Sequence, residues 1–336
     1  MSIKVYSYNV LNPDPNTSNT LFRHIIDGNF KNKIEKARKI SEVDLIRYQF
    51  YKKKKLLELF DTWLKDDAII CLQEVFDDLL SVLNKRYKIT YTKTKDKILL
   101  STGPIYKPEY RVIILSKNLK LIKSKEIDIK TELIQKNIMY NKVSNGKNIL
   151  QCINVHMHWK NGVSEMEMVA EEINKVLTKD PYVICGDFNK VFTSRIVQSF
   201  TSHLSIDNLT DLKNVKNKFT SFTNLKEDVK DSCNVDIYSK IKSHFIKLNI
   251  DGIYVDYLIV GNLGKNKCSK IKIIEKNKKE HLMYDLPRLE EGNKLFDSKF
   301  FTHADKKLYA KKWIELNTKS NCIDLSDHKP VMINIF

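Results

Sequence analysis

The chain has 336 residues, of which 42% are hydrophobic, a composition that places it among globular proteins and excludes disorder as its main state. It contains no run of 18 or more uncharged apolar residues, and the N-terminus enters an alternating pattern at Ile3 without a charged and then apolar leader; the expectation is a chain with no membrane span, not secreted, and cytoplasmic or nuclear. Lys and Arg number 58 against 41 acidic residues, for a formal charge of +17, and a field of that sign attracts nucleic acid, anionic lipid or phosphorylated small molecules. Only seven of the basic residues are Arg, and a Lys excess beside abundant Asn and Ile is also what an AT-rich genome writes.

In chain order, Ile3 to Leu11 alternates with a period of two and reads as a strand that ends before Pro13 and Pro15. Tyr48 to Trp63 spaces Phe50, Leu56, Leu57, Leu59, Phe60 and Trp63 by threes and fours, the pattern of an amphipathic helix. Ala68 to Glu74 is apolar until its last two residues, as expected of a strand covered on both faces whose end opens into a cleft. Arg111 to Leu115, Asn148 to His156 and Tyr182 to Asp187 share that profile, with a helix from Glu165 to Leu177 between the last two. Residues 205–250 are polar and weakly periodic; a strand returns over Gly252 to Val260, and a final one runs from Pro330 to Phe336. Between those two strands the stretch 262–320 holds 15 basic and 8 acidic residues and reads as a basic insertion. No repeat or Gly/Ser linker divides the chain, so one domain over 1–336 is expected.

The six cysteines show neither CxxC pairs nor zinc spacing, and Cys71, Cys152 and Cys185 lie inside apolar strands, where reduced core thiols are expected. Polar residues gather instead at strand ends: Asn9; Gln73 and Glu74; Asn154 and His156; Asp187 and Asn189; Asp327 and His328. Asp256 interrupts an apolar strand, and a carboxylate there needs a His, a donor network or a metal as partner. Carboxylate and amide oxygens suit Mg²⁺ or Mn²⁺, which bridges to substrate phosphate, and this leaves the histidines to stabilise charge on phosphorus while an Asp activates water. The chemistry of the set is hard-cation phosphoester hydrolysis.

Ser7-Tyr8-Asn9-Val10-Leu11, Leu72-Gln73-Glu74-Val75, Asn154-Val155-His156, Gly186-Asp187-Phe188-Asn189, Val255-Asp256-Tyr257 and Ser326-Asp327-His328 resemble, in order, the motifs of the endonuclease/exonuclease/phosphatase superfamily. The resemblance implies an α/β, DNase I-like four-layer sandwich, two mixed β-sheets face to face with helices outside and the site at one edge. It also implies Glu74 as principal metal ligand helped by Asn9, Asp187 as the group that activates water, and Asn189 on the scissile phosphate. His156 and His328, the latter paired with Asp327, would stabilise charge on phosphate, and Asp256 would position His156 or a second metal.

Asn154-Val155-His156-Met157-His158-Trp159 is similar to the poly(A) deadenylases of the carbon-catabolite-repressor, nocturnin and angel type, which adds Asn154, His158 and Trp159 as substrate-binding candidates. His158 and Trp159 have a plainer reading as packing for the strand end. Where those deadenylases place a proline and an aromatic around adenine, this chain has Asn161 and Asp251, so adenine preference does not carry over. In the insertion, Lys and aromatic residues interleave from Lys278 to Trp313, which suits single-stranded nucleic acid, while the spacing within Asp305 to Leu316 also fits an ordinary amphipathic helix. The expected activity is a Mg²⁺-dependent phosphodiesterase that hydrolyses RNA, single-stranded and from the 3′ end. The alternatives on the same scaffold are a DNA repair nuclease or 5′-tyrosyl-DNA phosphodiesterase, a phosphatase or phospholipase on a small phosphorylated substrate, and a non-catalytic RNA-binding module.

Overall fold

The computed structural model describes residues 2–10, 52–94, 97–98, 109–130, 134–157, 163–189, 195–204, 256–264, 268–269, 271–274 and 330–336. The first half contains β1 (Ile3–Asn9), α1 (52–63), β2 (Ala68–Phe76), α2 (Asp77–Arg86), β3 (Lys88–Lys93), β4 (Lys97–Ile98), β5 (Glu109–Leu115), β6 (Lys120–Lys130) and β7 (Ile134–Ser144). The second contains β8 (Ile149–His156), α3 (Val163–Val176), β9 (Tyr182–Asp187), α4 (Arg195–Ser202), β10 (Asp256–Gly261), β11 (Lys272–Ile273) and β12 (Val331–Ile335).

The strands form two mixed sheets. One runs β11-β12-β1-β2-β5-β3 and the other β10-β9-β8-β7-β4, with β6 also paired to β7. The β1/β2 and β8/β9 pairs are parallel and the rest antiparallel. Because side chains alternate along a strand, each sheet offers two apolar faces, and the strands that read as continuous hydrophobic runs are those buried on both. Ile69 and Cys71 of β2 meet Cys152, Val183, Cys185 and Leu258 in the layer between the sheets. Ile70 and Leu72 turn the other way, onto Leu56, Phe60 and Trp63 of α1 and Leu79 and Leu83 of α2. On the far side Ile153, Val155 and Ile184 pack on Met166, Val169 and Ile173 of α3 and Phe200 of α4. The layers are therefore helices, sheet, sheet, helices: the four-layer sandwich expected.

The expected helix at Glu165 to Leu177 is observed as α3, and the strands at 68–74, 111–115, 148–156, 182–187 and 330–336 as β2, β5, β8, β9 and β12. The stretch that reads as an insertion from 262 is in part sheet. Its residues Lys272 and Ile273 form β11 against β12, and Cys268 bridges to Ile335. The apolar alternation of Ile271 and Ile273, packed on the layer between the sheets, accounts for this.

Candidate active site

Along β1 the residues that face the second sheet are Ile3, Val5, Ser7 and Asn9, and the change from apolar to polar occurs within that one face. The same change occurs from Cys71 to Gln73 on β2, from Cys152 to Asn154 on β8, from Cys185 to Asp187 on β9, and in reverse from Asp256 to Leu258 on β10. The space between the sheets is thus greasy over most of its depth and polar at one edge. There His156 pairs in register with Asp187 on one side and Asp256 pairs with Asp187 on the other, a row across β8, β9 and β10. From the first sheet come Asn9, opposite Gln73, and Glu74.

Glu74 reaches this edge through a break in the strand. Leu72 pairs with Val112 and Val75 with Tyr110, so Gln73 and Glu74 together oppose Arg111, and Glu74 has φ of 56°. Such a β-bulge with a left-handed residue re-aims a side chain that strict alternation sends to the outer face, and the strain it stores is characteristic of functional positions. Asn189 is likewise left-handed at φ 52°.

The contacts form a knot. Asn9 Nδ2 donates to Glu74 Oε1 at 2.8 Å and to Asp187 Oδ2 at 3.1 Å. His156 Nε2 lies 3.7 Å from each of those same two oxygens. The backbone N–H of Asn189 donates to Asp187 Oδ1 at 2.7 Å, and Asn189 Nδ2 to the carbonyl of Met157 at 2.8 Å. Asp187 is 1% exposed and Asp256 1%. Buried carboxylates this close repel unless a donor or a cation stands between them. Glu74, His156 and Asp187 bring three ligand atoms within 4.8 Å of one another, a mainly oxygen donor set that fits a divalent cation.

Asn9 Nδ2 tethers Glu74 and Asp187 to each other. Asn154 lies on β8 between the two sheets. It is fully buried, donates to the carbonyls of Leu72 and Val112 and accepts from Gln73 Nε2 at 2.7 Å, tying β8 to the first sheet. His158, Trp159, Asn161, Asp251, Asp327, His328 and the segment 305–316 lie outside the described residues.

Arg111 was not among the candidates. It is fully buried on β5, donates to Asn137 Oδ1 at 2.7 Å and to the carbonyl of His156 at 3.2 Å, and so spans the two sheets beside the bulge. In the sequence it stands at the start of the apolar run Val112 to Leu115, where one charge reads as a strand end.

No family profile and no curated protein matches the sequence. Solved structures do match. The endonuclease/exonuclease/phosphatase from Bacteroides vulgatus has a TM-score of 0.54 at 13% identity, covering 100% of this chain and 99% of that one. TDP2 of D. rerio, complexed with single strand DNA product, has 0.53 at 12%, covering 100% and 99%. The human Nocturnin catalytic domain with bound sulfate anion has 0.53 at 12%, covering 100% and 94%. What the chain shares with them is the fold, that of endonuclease/exonuclease/phosphatase proteins.

Proposed function

We propose that the protein is a metal-dependent phosphodiesterase acting on nucleic acid, with single-stranded RNA cleaved from its 3′ end as the first reading. The observation that carries it is the convergence of Glu74, Asp187 and His156 on one point, with Asn9 holding the two carboxylates. Glu74 foremost, helped by Asn9, would hold Mg²⁺ or Mn²⁺. Such an ion, when bound, supplies Lewis-acid polarisation of a phosphoryl oxygen.

The chain's own groups do the rest. Asp187 accepts N–H bonds on both oxygens, from Asn9 and from Asn189, so its orientation is fixed before substrate arrives. A carboxylate held in this way positions a water and takes its proton as the oxygen attacks phosphorus. His156 Nε2, at the same edge, donates to the charge that grows on the phosphoryl oxygens. Asp327 and His328 are assigned on sequence alone to the same task, and His158 and Trp159 to substrate. The +17 charge supports a polyanionic substrate. Among the described residues no helix is long and apolar enough to cross a membrane.

The second reading, cleavage at DNA ends, is favoured by the likeness to a TDP2 structure that holds single strand DNA product. A parallel assay on 3′-labelled and 5′-labelled poly(A), mixed RNA, single-stranded DNA and duplex DNA decides between them. Activity is expected with Mg²⁺ and none in excess chelator; full turnover in chelator would remove the metal from the reading. With Asn161 and Asp251 where an adenine clamp would need apolar surface, poly(A) is expected to be cleaved no more than several-fold faster than poly(U). Stacking worth roughly 1–3 kcal/mol per base would give more, and a hundredfold preference would show a clamp built from other residues.

A further inference from the structure

Cys71, Cys152 and Cys185 take no part in the site above, yet they form the layer directly beneath it. Each stands two residues before a polar residue of that edge on the same strand: Cys71 before Gln73, Cys152 before Asn154, Cys185 before Asp187. Alternation therefore puts all three on the same faces, one step further into the space between the sheets. They are fully buried, and their Sγ atoms all lie within 4.8 Å of one another. Cys71 Sγ, from the first sheet, is 3.3 Å from Cys152 Sγ on the second.

We propose that this trio is a three-thiolate site for a soft monovalent d¹⁰ cation, cuprous ion being the type. Thiolate ligands select soft ions over the hard cations suited to the carboxylate edge above. Coordination number then separates the soft ions: structural zinc is held by four ligands, whereas the group found among the described residues has three members. Spacing agrees. Metal–sulfur bonds of about 2.3 Å put three sulfurs about 4 Å apart, which the trio reaches with shifts of tenths of an ångström. A disulfide between Cys71 and Cys152 asks more, because it draws the two sulfurs from 3.3 Å to about 2.05 Å.

Burial pushes the thiols of Cys71 and Cys185 up, since a thiolate among Val, Ile and Leu is unsolvated, while hydrogen bonds from Cys185 and Cys71 pull Cys152 down. Binding forms three metal–sulfur bonds, each at a thiolate, and every thiol still protonated gives up its S–H proton to solvent, with no change of oxidation state. The ion's charge offsets part of the thiolate charge it creates, and affinity rises with pH. A sealed layer loads as the two sheets close, during folding. This inference is independent of the nuclease reading.

The test uses the full chain with Cys233, Cys268 and Cys322 changed to Ser, refolded anaerobically under reductant with cuprous ion buffered by a chromophoric chelator. One copper per chain is expected to survive gel filtration, and X-ray absorption is expected to show a shell of three sulfurs. Adding Cys152→Val, which keeps an apolar side chain in the layer, is expected to weaken binding by more than about a hundredfold, beyond the loss caused by an outer-shell partner. If that chain does not fold, Cys71→Val takes its place, and the sulfur count on the intact trio stands alone. No retained copper, a shell with fewer than three sulfurs, or equal affinity in the Val variant overturns the proposal.

Discussion

Asp187 depends on the residue before it. Gly186 sits at φ of 145°, and a Cβ there would lie 1.8 Å from the carbonyl oxygen of Val155 on the neighbouring strand, a backbone atom that cannot yield without parting β8 from β9. Gly186→Ala is expected to cost about 3 kcal/mol or more, as a strained φ and an overpacked core site combine; urea unfolding measures it, and a loss under about 1 kcal/mol would show the strands free to separate. The next residue separates stability from chemistry. Asp187→Asn keeps an oxygen to accept the Asn189 N–H and removes one of two neighbouring carboxylates, while Asn9 Nδ2, which loses Asp187 as acceptor, retains Glu74 Oε1; an amide cannot take a proton from water. Turnover is therefore expected to fall by about 10² or more with the melting temperature within a few degrees of wild type. Near wild-type turnover in a folded Asp187→Asn protein would assign the base elsewhere.

At the scale of elements, the edge of the sandwich is held by a strut as well as by sheet pairing. Arg111 reaches from β5 to Asn137 on β7 and to the last carbonyl of β8, opposite the bulge that carries Glu74. Arg111→Met fills similar volume but leaves Asn137 Oδ1 and the His156 carbonyl without that donor, a loss of about 1–3 kcal/mol for each group left unsatisfied. The prediction is a lower melting temperature together with a fall in kcat larger than the rise in KM, because the distance between Glu74 and His156 loses its support; a change confined to KM would place Arg111 in substrate binding instead. Much of this edge was legible beforehand, since Asn9, Asn154, Asp187 and Asp256 each end or begin an apolar face at period two. Glu74 was legible only through its motif: alternation alone places it with Leu72 on the helix-covered face, and a φ of 56° leaves no mark on hydrophobic pattern. β6 and β7 were missed for a different reason. Lys120 to Lys130 is largely exposed and among the described residues pairs only with β7; its buried Ile127 and Ile129 alternate with charged Glu126, Asp128 and Lys130, so it lacks the continuous apolar run that marks β8 and β9. Arg111 was hidden because one charge at the start of Val112 to Leu115 reads as a strand end until the opposing sheet shows what it spans.

For the molecule as a whole the open question is whether its charge serves binding or composition. Basic residues that touch phosphates release condensed counterions, and for a single strand log K falls with log salt at a slope of about −0.7 for each phosphate neutralised. If the excess of Lys lies along a substrate path ending at Glu74 and Asp187, contact with about five phosphates is reasonable, and affinity for a 20-nucleotide RNA should drop about a hundredfold between 50 and 200 mM salt. The measurement is fluorescence anisotropy in Ca²⁺ or in an Asp187→Asn protein, so that binding is read without cleavage. Heparin should compete, and an uncharged oligonucleotide analogue of the same sequence should bind weakly at every salt concentration. A slope below about −1 in magnitude would mean that fewer than two phosphates are met. The +17 would then be a dispersed compositional charge, and the substrate would be sought among small phosphorylated molecules whose single phosphate fits the carboxylate and imidazole edge.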